Sequence, residues 1–169
     1  MISGDVFLSD VQALAKVLRE RQWKIAVAES CTGGLLAAAL TSVAGSSEWF
    51  ERGFVTYSNE AKMDLLGVAP QSLQEHGAVS EQVARQMATG ALAGSAPAQV
   101  SVSITGIAGP GGAVEGKPVG TVCFGFARRS EQGLLVCAST QHFDGDRDAV
   151  RTASVQYVLR TLASFSATC

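Results

Sequence analysis

Short apolar runs of strand type alternate with segments of helical spacing, and this alternation constrains the fold more than any other feature of the chain. Strands that alternate with helices predict a parallel sheet covered by helices on both faces. The last two runs are close enough in sequence to pair as a hairpin. We therefore expect an α/β protein with one domain over residues 1–169, a three-layer α/β/α sandwich whose sheet is mainly parallel but mixed. The five runs lie at residues 24–28, 54–57, 99–104, 121–127 and 134–140.

Side chains that can cap helices stand at several of the expected helix starts. Ser9–Gln12 has the form of a capping box, which predicts that the first helix begins near residue 10. The other candidate caps are Ser58 or Asn59, Ser80, and Asp146. The predicted helices span residues 10–21, 35–43 and 59–67, a short segment between Pro70 and Gly77, a longer one from residue 80, and a closing one from residue 146.

The composition excludes several classes of protein. The 169 residues are 47% hydrophobic and 17% charged, which excludes a disordered chain and indicates a well-buried core. A net charge of −2 provides no basic surface for duplex nucleic acid, so we expect no nucleic-acid partner. The longest weakly polar stretch, Gly33–Gly45, is too short to span a membrane, and residues 1–10 do not resemble a signal peptide. We expect a cytoplasmic protein without a membrane partner.

The histidines and cysteines predict neither a metal site nor a catalytic triad. The four cysteines form no C-x-x-C pair, and His76 and His142 lie far apart in sequence. His142, near Asp144, is the only candidate for a Ser-His-Asp triad, but it lacks a supporting motif. His76 is expected to end a helix. We therefore expect no metal and no cofactor.

The first candidate site is the segment Ala28–Gly34, which follows a buried strand and ends in a glycine pair that opens a helix. Ligands of open α/β sheets bind at the carboxyl ends of strands, so the first N–H groups of this helix could stabilise an oxyanion or a phosphate. The alternative is that Ser30 or Thr32 only caps the helix. Cys31 is also a candidate nucleophile, because a helix N-terminus lowers the pKa of a thiol. It ranks second to Ser30, since the sequence places no histidine partner beside it.

The second candidate site is the glycine-rich segment Ile104–Gly112, which follows the third predicted strand. Its N–H groups could form a nest that binds an anion, or its glycines could serve only to turn the chain. Gly111–Lys117 also fits G-x-x-x-x-G-K. However, Pro118 stands where a P-loop needs Ser or Thr, and a strand rather than a helix follows. We therefore reject a nucleoside triphosphatase.

The third candidate is Lys62, in the first turns of its predicted helix. The helix macrodipole disfavours a cation there, so we expect a lowered pKa, and burial would lower it further. A lysine with a lowered pKa can act as a general base. The alternative is an ordinary solvated lysine. Tyr57, which ends the preceding predicted strand, is either a site residue that forms hydrogen bonds or a core aromatic whose hydroxyl reaches water.

Taken in order, these segments resemble the CinA C-terminal family, the nicotinamide-nucleotide amidases. The resemblance covers most of residues 27–127 and extends to Gly145–Arg147. It implies an α/β/α domain that hydrolyses the carboxamide of a small nucleotide, nicotinamide mononucleotide, to nicotinate mononucleotide and ammonia without a cofactor. The matching stretches are AESCTGGLLAAALTSVAGSSEWFERGFVTYSNEAKMDLLGV, HGAVSEQVARQMATGAL, SVSITGIAGPGG and KPVGTVCFGFA.

The resemblance also implies roles for single residues. Ser30 would be the nucleophile and Lys62 its general base, assisted by Tyr57. Amide hydrolysis further needs an oxyanion hole and an acid for the leaving ammonia, and the turn after Ser30 could supply the oxyanion hole. The ribose phosphate could bind to the glycine-rich segment, with an arginine as a weaker candidate clamp. The expected substrate-binding residues are Thr32, Gly33, Gly34, Thr105, Gly106, Gly109 and Arg147.

Two other functions remain compatible with the sequence, namely hydrolysis of a different carboxamide and a non-catalytic binding module. Some members of the family carry an N-terminal domain similar to molybdopterin-binding enzymes, whereas this chain begins directly with its first helix and looks like the stand-alone form. We also expect a homodimer or a higher homo-oligomer. Trp49 and Phe50 could form an exposed apolar patch, although burial in the core is the alternative.

Overall fold

The structure is a computed structural model that describes residues 4–164. This part of the chain contains six α-helices and five β-strands. No helix in this part is both long and apolar enough to cross a membrane. The helices are α1 (Leu8–Glu20), α2 (Leu35–Leu40), α3 (Asn59–Leu66), α4 (Pro70–His76), α5 (Glu81–Ala93) and α6 (Arg147–Ala163). The strands are β1 (Ile25–Glu29), β2 (Phe50–Val55), β3 (Val100–Gly106), β4 (Thr121–Ser130) and β5 (Gly133–His142).

The five strands form one sheet in the order β2-β1-β3-β4-β5. β1 pairs in parallel with β2 and β3, whereas β4 pairs in antiparallel fashion with β3 and β5. Within this sheet only β4 runs against the other strands, so the predicted mixed and mainly parallel sheet is confirmed, as is the β4–β5 hairpin. β1 lies between its two parallel partners. That topology opens a crevice at the carboxyl ends of the three strands.

Helices cover both faces of the sheet, as the three-layer prediction requires. Ile25 and Val27 of β1 belong to a core that they share with α1, α2 and α6. Ala26 and Ala28, which point to the opposite face, pack in clusters that include side chains of α5. Every residue of β1 is buried, as expected for a strand that is covered on both sides.

Small side chains allow α5 to lie directly on the sheet. The hydroxyls of Ser101 and Ser103 donate hydrogen bonds of 2.6 Å to main-chain carbonyls of α5, those of Ala88 and Ala84. A Cβ on Gly125 would overlap the carbonyl of Ala84. The main chain of α5 therefore contacts serine hydroxyls and a glycine of the sheet directly.

α5 in turn positions α3, the helix that carries Lys62. A Cβ on Gly90 of α5 would overlap the carbonyl oxygen of Leu66 at the end of α3, so the two helices touch backbone to backbone. Leu66 and Val68 pack in one cluster with Met87 of α5. The placement of α3 beside the sheet thus depends on a glycine in its neighbour.

Three of the predicted caps are confirmed and one is wrong. The side chains of Ser58, Ser80 and Asp146 each accept a hydrogen bond from the N–H group three residues later. The capping box at Ser9–Gln12 is wrong, because α1 begins at Leu8 and no side-chain hydrogen bond caps it. A 3-10 turn over residues 4–7 leads directly into α1 and ends with a buried phenylalanine.

The second strand lies earlier in the chain than the predicted 54–57. β2 pairs with β1 from Phe50 to Val55. Thr56 still donates its N–H to the carbonyl of Glu29 at 2.8 Å, but the chain then leaves the sheet. Tyr57 consequently lies in the connection to α3 rather than in the strand.

The expected apolar patch at Trp49 and Phe50 is wrong. Trp49 is 0% exposed and belongs to the main core, and Phe50 is partly buried against the same core. Burial in the core, the alternative reading, is therefore correct. These two side chains give no support to a homodimer, which stays a prediction.

Candidate active site

A cavity of about 300 Å³ opens where β1, β2 and β3 end. Its walls come from the turn after β1, the connection after β2, the end of β3 and the first residue of α6. The carboxyl ends of parallel strands meet at one edge of a sheet, so residues far apart in sequence share this space. The cavity brings together these residues of the predicted site: Ser30, Tyr57, Lys62, Thr105, Gly106, Gly109 and Arg147.

The amine of Lys62 lies against the hydroxyl of Ser30. Lys62 Nζ is 3.0 Å from Ser30 Oγ, and the two side chains belong to residues that are 1% and 8% exposed. The same amine lies 2.9 Å from the carbonyl oxygen of Thr56 and 3.2 Å from that of Tyr57. A neutral amine donates two N–H groups, one to each carbonyl, and its lone pair is then free to accept the proton of Ser30 Oγ.

Burial lowers the pKa of Lys62 below the ordinary lysine value of 10.5. The salt bridges within residues 4–164 do not include Lys62. Glu60 and Asp64, the acidic residues of the same helix, are exposed. The lowering expected from the sequence is confirmed, with burial as its cause. A buried amine of this kind can act as a general base.

The start of α2 does not lower the pKa of the Cys31 thiol, which agrees with the rank of Cys31 behind Ser30. Burial raises the pKa of its thiol to about 11, the main-chain N–H of Cys31 opposes the rise, and the carboxylate of Glu29 adds to it. Arg147 and Arg151 act weakly in the lowering direction. The thiol is therefore protonated at neutral pH, which makes it a poor nucleophile.

The N–H groups at the start of α2 already bind a carboxylate of the same chain, that of Glu29. The buried carboxylate of Glu29 accepts hydrogen bonds from the N–H groups of Gly34, Leu36 and Ala37, at 3.1, 3.0 and 2.8 Å. These are N–H groups that we expected to bind an oxyanion or a phosphate. That expectation is wrong, because Glu29 satisfies them instead.

Thr32, Gly33 and Gly34 do not line the cavity. The φ angles of Gly33 and Gly34 are 59° and 99°, a left-handed conformation that favours glycine. Thr32 is buried, and its carbonyl oxygen accepts a hydrogen bond of 3.0 Å from the guanidinium of Arg151. The three residues shape the turn that follows Ser30, and their placement gives no support to contact with a substrate.

Arg147 reaches the cavity from the start of α6. Its guanidinium donates to the carbonyl oxygen of Gly109 at 2.9 Å and to the hydroxyl of Tyr57 at 3.0 Å. Tyr57 is 59% exposed, so it is not a core aromatic. Its hydroxyl contacts Arg147, while its main-chain carbonyl contacts Lys62. Tyr57 thus connects the two basic residues of the cavity.

The glycine-rich segment lines the cavity and also needs its glycines for packing. A Cβ on Gly106 would lie 2.7 Å from Val122 Cγ2 of β4, and one on Gly109 would lie 2.6 Å from Val119 Cγ1. Gly109 also has a φ of 84°. The hydroxyl of Thr105 donates to the carbonyl of Ala78 at 2.9 Å, which ties β3 to the segment before α5.

Neither of the rejected motifs forms the catalytic arrangement that it would need. No helix follows Gly111–Lys117, and Lys117 donates to the carbonyl oxygen of His76 at the end of α4. His142 lies 3.5 Å from Asp144, but it does not line the cavity. Within residues 4–164, no group of three or more His, Cys, Asp or Glu side chains could hold a metal ion.

Several contributors to the site carried no clear signal in the sequence. Asn59 and Ala78 line the cavity, and the carbonyl of Thr56 binds Lys62. Glu29 lies directly before Ser30, and its side chain accepts hydrogen bonds at the start of α2. This role had no clear sign in the sequence, because the side chains usually expected at a helix start are those of Ser, Thr, Asp and Asn. Arg151 lies one helical turn after Arg147, a spacing that points to a shared helix face.

Comparisons with known proteins identify relatives that are similar in sequence and in fold. The chain is 52% identical over 151 residues to the nicotinamide-nucleotide amidohydrolase PncC of Escherichia coli, a match that covers 89% of each chain. A solved structure of a competence-damaged protein (CinA) superfamily protein from Escherichia coli superposes with a TM-score of 0.87 at 38% identity, over 98% of this chain and 94% of that one. The competence/damage inducible protein CihA of Agrobacterium tumefaciens gives a TM-score of 0.84 at 43% identity, over 96% of both chains.

The family model of the CinA C-terminal domain matches residues 9–166. That range contains the turn after β1, α3, the glycine-rich segment and the start of α6, which are the parts that build the cavity. The resemblance noted from the sequence motifs is thereby confirmed. This chain belongs to the CinA C-terminal domain family.

Proposed function

We propose that this chain hydrolyses the carboxamide of nicotinamide mononucleotide, with Ser30 as nucleophile and Lys62 as general base. The observation that carries the proposal is the 3.0 Å contact between Lys62 Nζ and Ser30 Oγ inside a strand-end cavity. The 52% identity to a nicotinamide-nucleotide amidohydrolase, over 89% of both chains, supports amidohydrolase activity.

The proposed reaction has two halves that use the same base. Neutral Lys62 takes the proton of Ser30 Oγ while this oxygen attacks the amide carbon, and the carbonyl oxygen becomes an oxyanion. The C–N bond then breaks, and the Lys62 ammonium gives its proton to the nitrogen, which leaves as ammonia. Water attacks the resulting ester of Ser30, with Lys62 again accepting a proton. The bond between the acyl carbon and Ser30 Oγ then breaks, the Lys62 ammonium returns the proton to Oγ, and nicotinate mononucleotide leaves.

Hydrogen bonds within the chain narrow the choice of oxyanion donors. The N–H of Ser30 donates to the carbonyl of Ile104 at 2.9 Å, and the first N–H groups of α2 bind Glu29. We therefore assign the oxyanion to the N–H groups of Cys31 and Thr32, the next two along the turn. Main-chain donors placed next to a nucleophile are suited to this purpose because they do not reorganise during the reaction.

We assign the nucleotide part of the substrate to Arg147 and the glycine-rich segment, which line the same cavity. Lys62 and Arg147 are the basic side chains among the lining residues, and Lys62 is needed as a neutral base. Arg147 is therefore the group that binds the phosphate, with main-chain N–H groups of Gly111 and Gly112 beside it. Because this binding helps to orient the amide, free nicotinamide should be a poor substrate.

The test is ammonia release from nicotinamide mononucleotide, nicotinamide and glutamine, measured side by side at equal concentration. Release from the mononucleotide alone is the expected result. The Ser30→Ala protein, purified in the same way, controls for a contaminating amidase. Equal turnover of nicotinamide would remove the role of the glycine-rich segment. Turnover of glutamine alone would indicate a different amidase, and no release at all would indicate a non-catalytic binding module.

Three further properties stay predictions, namely a cytoplasmic location, a single domain over residues 1–169 and a homodimer or higher homo-oligomer. Sedimentation velocity across micromolar concentrations tests the homodimer. A single species with the mass of one chain would contradict it.

A further inference from the structure

We propose that Glu29 is a positioning residue for the nucleophile. Its buried carboxylate accepts hydrogen bonds from the first N–H groups of α2 and thereby fixes the turn from Ser30 to Gly34. The inference rests on the proposed function, since it concerns how Ser30 is held for that reaction. Glu29 itself does not line the cavity. It therefore acts through the turn and not through contact with the substrate.

The side chain of Glu29 is fully buried, and both of its oxygens are used. Oε2 accepts from Gly34 at 3.1 Å and from Leu36 at 3.0 Å, while Oε1 accepts from Ala37 at 2.8 Å. A negative group at a helix start is stabilised by the N–H groups there. The two ends of the turn, Glu29 and Gly34, are therefore joined by a direct hydrogen bond across it.

The main chain of Glu29 is equally constrained. It pairs with Val55 of β2 and with Ile104 of β3. Its carbonyl accepts the N–H of Thr56 at 2.8 Å, and Thr56 in turn presents its carbonyl to Lys62. One residue thus connects the strand before Ser30, the start of α2 and the main chain that holds the amine of Lys62.

Arg151 binds the same turn through a main-chain carbonyl, that of Thr32. Its guanidinium donates to the carbonyl oxygen of Thr32 at 3.0 Å, whereas Glu29 binds N–H groups after the turn. The turn is therefore anchored by a buried acid and by a base from α6. Removal of the acid leaves the N–H groups of Gly34, Leu36 and Ala37 without their acceptor.

The substitution Glu29→Gln keeps the size of the side chain but changes its hydrogen bonding. An amide has one acceptor oxygen and one NH₂ donor, so in either orientation the NH₂ faces an N–H group that needs an acceptor. We expect the turn to move away from this contact and to carry Ser30 Oγ out of line with Lys62. Reaction rates depend steeply on such displacements.

The experiment compares Glu29→Gln with the wild-type protein in two independent assays. The first gives kcat and KM for nicotinamide mononucleotide. The second measures the rate at which a fluorophosphonate labels Ser30, followed by mass spectrometry, and needs no knowledge of the substrate. We expect kcat and the labelling rate to fall together by about 10- to 100-fold, with KM changed by less than about threefold.

Two control variants separate positioning from other effects. Glu131→Gln makes the same chemical change at an exposed residue in the turn between β4 and β5, and should leave both rates unchanged. Leu18→Ala truncates a buried side chain of α1 and lowers stability without touching the turn. It should label Ser30 at the wild-type rate below its unfolding temperature. A loss equal to that of Glu29→Gln would attribute the effect to stability and overturn the inference.

A folded Glu29→Gln protein with wild-type labelling and kcat would also overturn the inference. If Glu29→Gln does not fold, as judged by circular dichroism, Glu29→Asp replaces it, since a shorter carboxylate cannot reach all three N–H groups. Wild-type labelling of that variant would equally overturn the inference. Absence of labelling in the wild-type protein would contradict Ser30 as nucleophile and hence the proposed function. Labelling without ammonia release would contradict only the substrate, and the labelling rates would still decide the role of Glu29.

Discussion

Lys62 Nζ and Ser30 Oγ lie 3.0 Å apart, although 32 positions separate the two residues in sequence. The parallel pairing of β1 with β2 places the turn that carries Ser30 beside Thr56 and Tyr57, whose carbonyls receive the amine. The backbone contact between α3 and α5 then fixes the position of α3 beside the sheet, and with it the position of Lys62. A buried amine in contact with a hydroxyl at a strand-end cavity is the observation behind the proposed roles of Lys62 as base and Ser30 as nucleophile.

Loss of either member of this pair should abolish turnover. Ser30→Ala and Lys62→Met should each lower kcat by about 10³-fold or more, and the double variant should be little worse because the two groups act as one unit. Lys62→Arg should also be inactive, since a guanidinium does not deprotonate to serve as a base. Steady-state ammonia release measures all four proteins.

A suitable control for these variants is Lys16→Met, at an exposed lysine of α1 whose contact with Glu20 is 3.9 Å long. It should behave like the wild-type protein. Near-normal turnover of Lys62→Arg would show that the residue acts through its charge and would replace the general-base mechanism.

The pH dependence of both activity and stability should report on Lys62. Only the neutral amine accepts a proton, so kcat/KM should rise with pH, with a midpoint below the ordinary lysine pKa of 10.5. Between the lowered pKa and 10.5 the unfolded chain binds a proton at Lys62 that the folded protein does not. The contribution of Lys62 to the free energy of unfolding therefore increases with pH through that window.

Urea denaturation of the wild-type protein and of Lys62→Met at several pH values tests the stability part. The difference between their free energies of unfolding should shift in favour of the wild type as the pH increases. A difference that does not change with pH would contradict a lowered pKa in the folded state.

Cys31→Ser should retain most of the activity. Burial raises the pKa of this thiol to about 11, so it is protonated at neutral pH and does not compete with Ser30 as a nucleophile. The measurements are kcat for the variant and the rate of alkylation by iodoacetamide in the wild-type protein, which should be slow. An inactive Cys31→Ser combined with an active Ser30→Ala would exchange the roles of the two residues.

Gly90→Ala should disturb the site from a distance. The added methyl group would overlap the carbonyl of Leu66, so α3 and α5 must move apart, and this changes the position of Lys62 relative to the sheet. We expect a stability loss of about 1–3 kcal/mol, as for overpacked cores, together with a reduced kcat. Urea denaturation and ammonia release measure the two effects. Gln82→Ala, at an exposed position of the same helix, should change neither, and an unaffected Gly90→Ala would show that α3 does not depend on this contact.

Tyr57→Phe should raise KM more than it lowers kcat. Its hydroxyl accepts a hydrogen bond from Arg147, the proposed phosphate ligand. The contact of Tyr57 with the amine of Lys62 is made by the main-chain carbonyl, which phenylalanine keeps. Arg147→Lys should likewise raise KM, because an ammonium cannot bind the carbonyl of Gly109, the tyrosine and a phosphate in the same planar arrangement. A fall in kcat at constant KM in Tyr57→Phe would instead indicate that the hydroxyl carries a proton.

Much of the architecture could be read from local patterns. Alternating apolar runs and helical segments predicted the sandwich and the hairpin, because burial on one or both faces leaves a period in the sequence. Ser58, Ser80 and Asp146 were identified as caps because capping depends on N–H groups only three residues away. Ser9–Gln12 carried the same local signal, but the 3-10 turn before α1 supplies its start instead.

The amino-acid sequence by itself determined which chemical groups stand at the strand ends: a hydroxyl and a thiol after β1, a lysine at the start of α3, and glycines after β3. Only the tertiary structure decided what those groups can do. Burial acts in opposite senses on the neighbouring candidates, since it lowers the pKa of Lys62 and raises that of Cys31. The carboxylate of Glu29 accepts hydrogen bonds from the N–H groups at the start of α2 that were expected to bind a ligand. Arg147 reaches the cavity from α6 and contacts Tyr57. Solvation and long-range contacts depend on atoms from distant parts of the chain, so no local pattern records them.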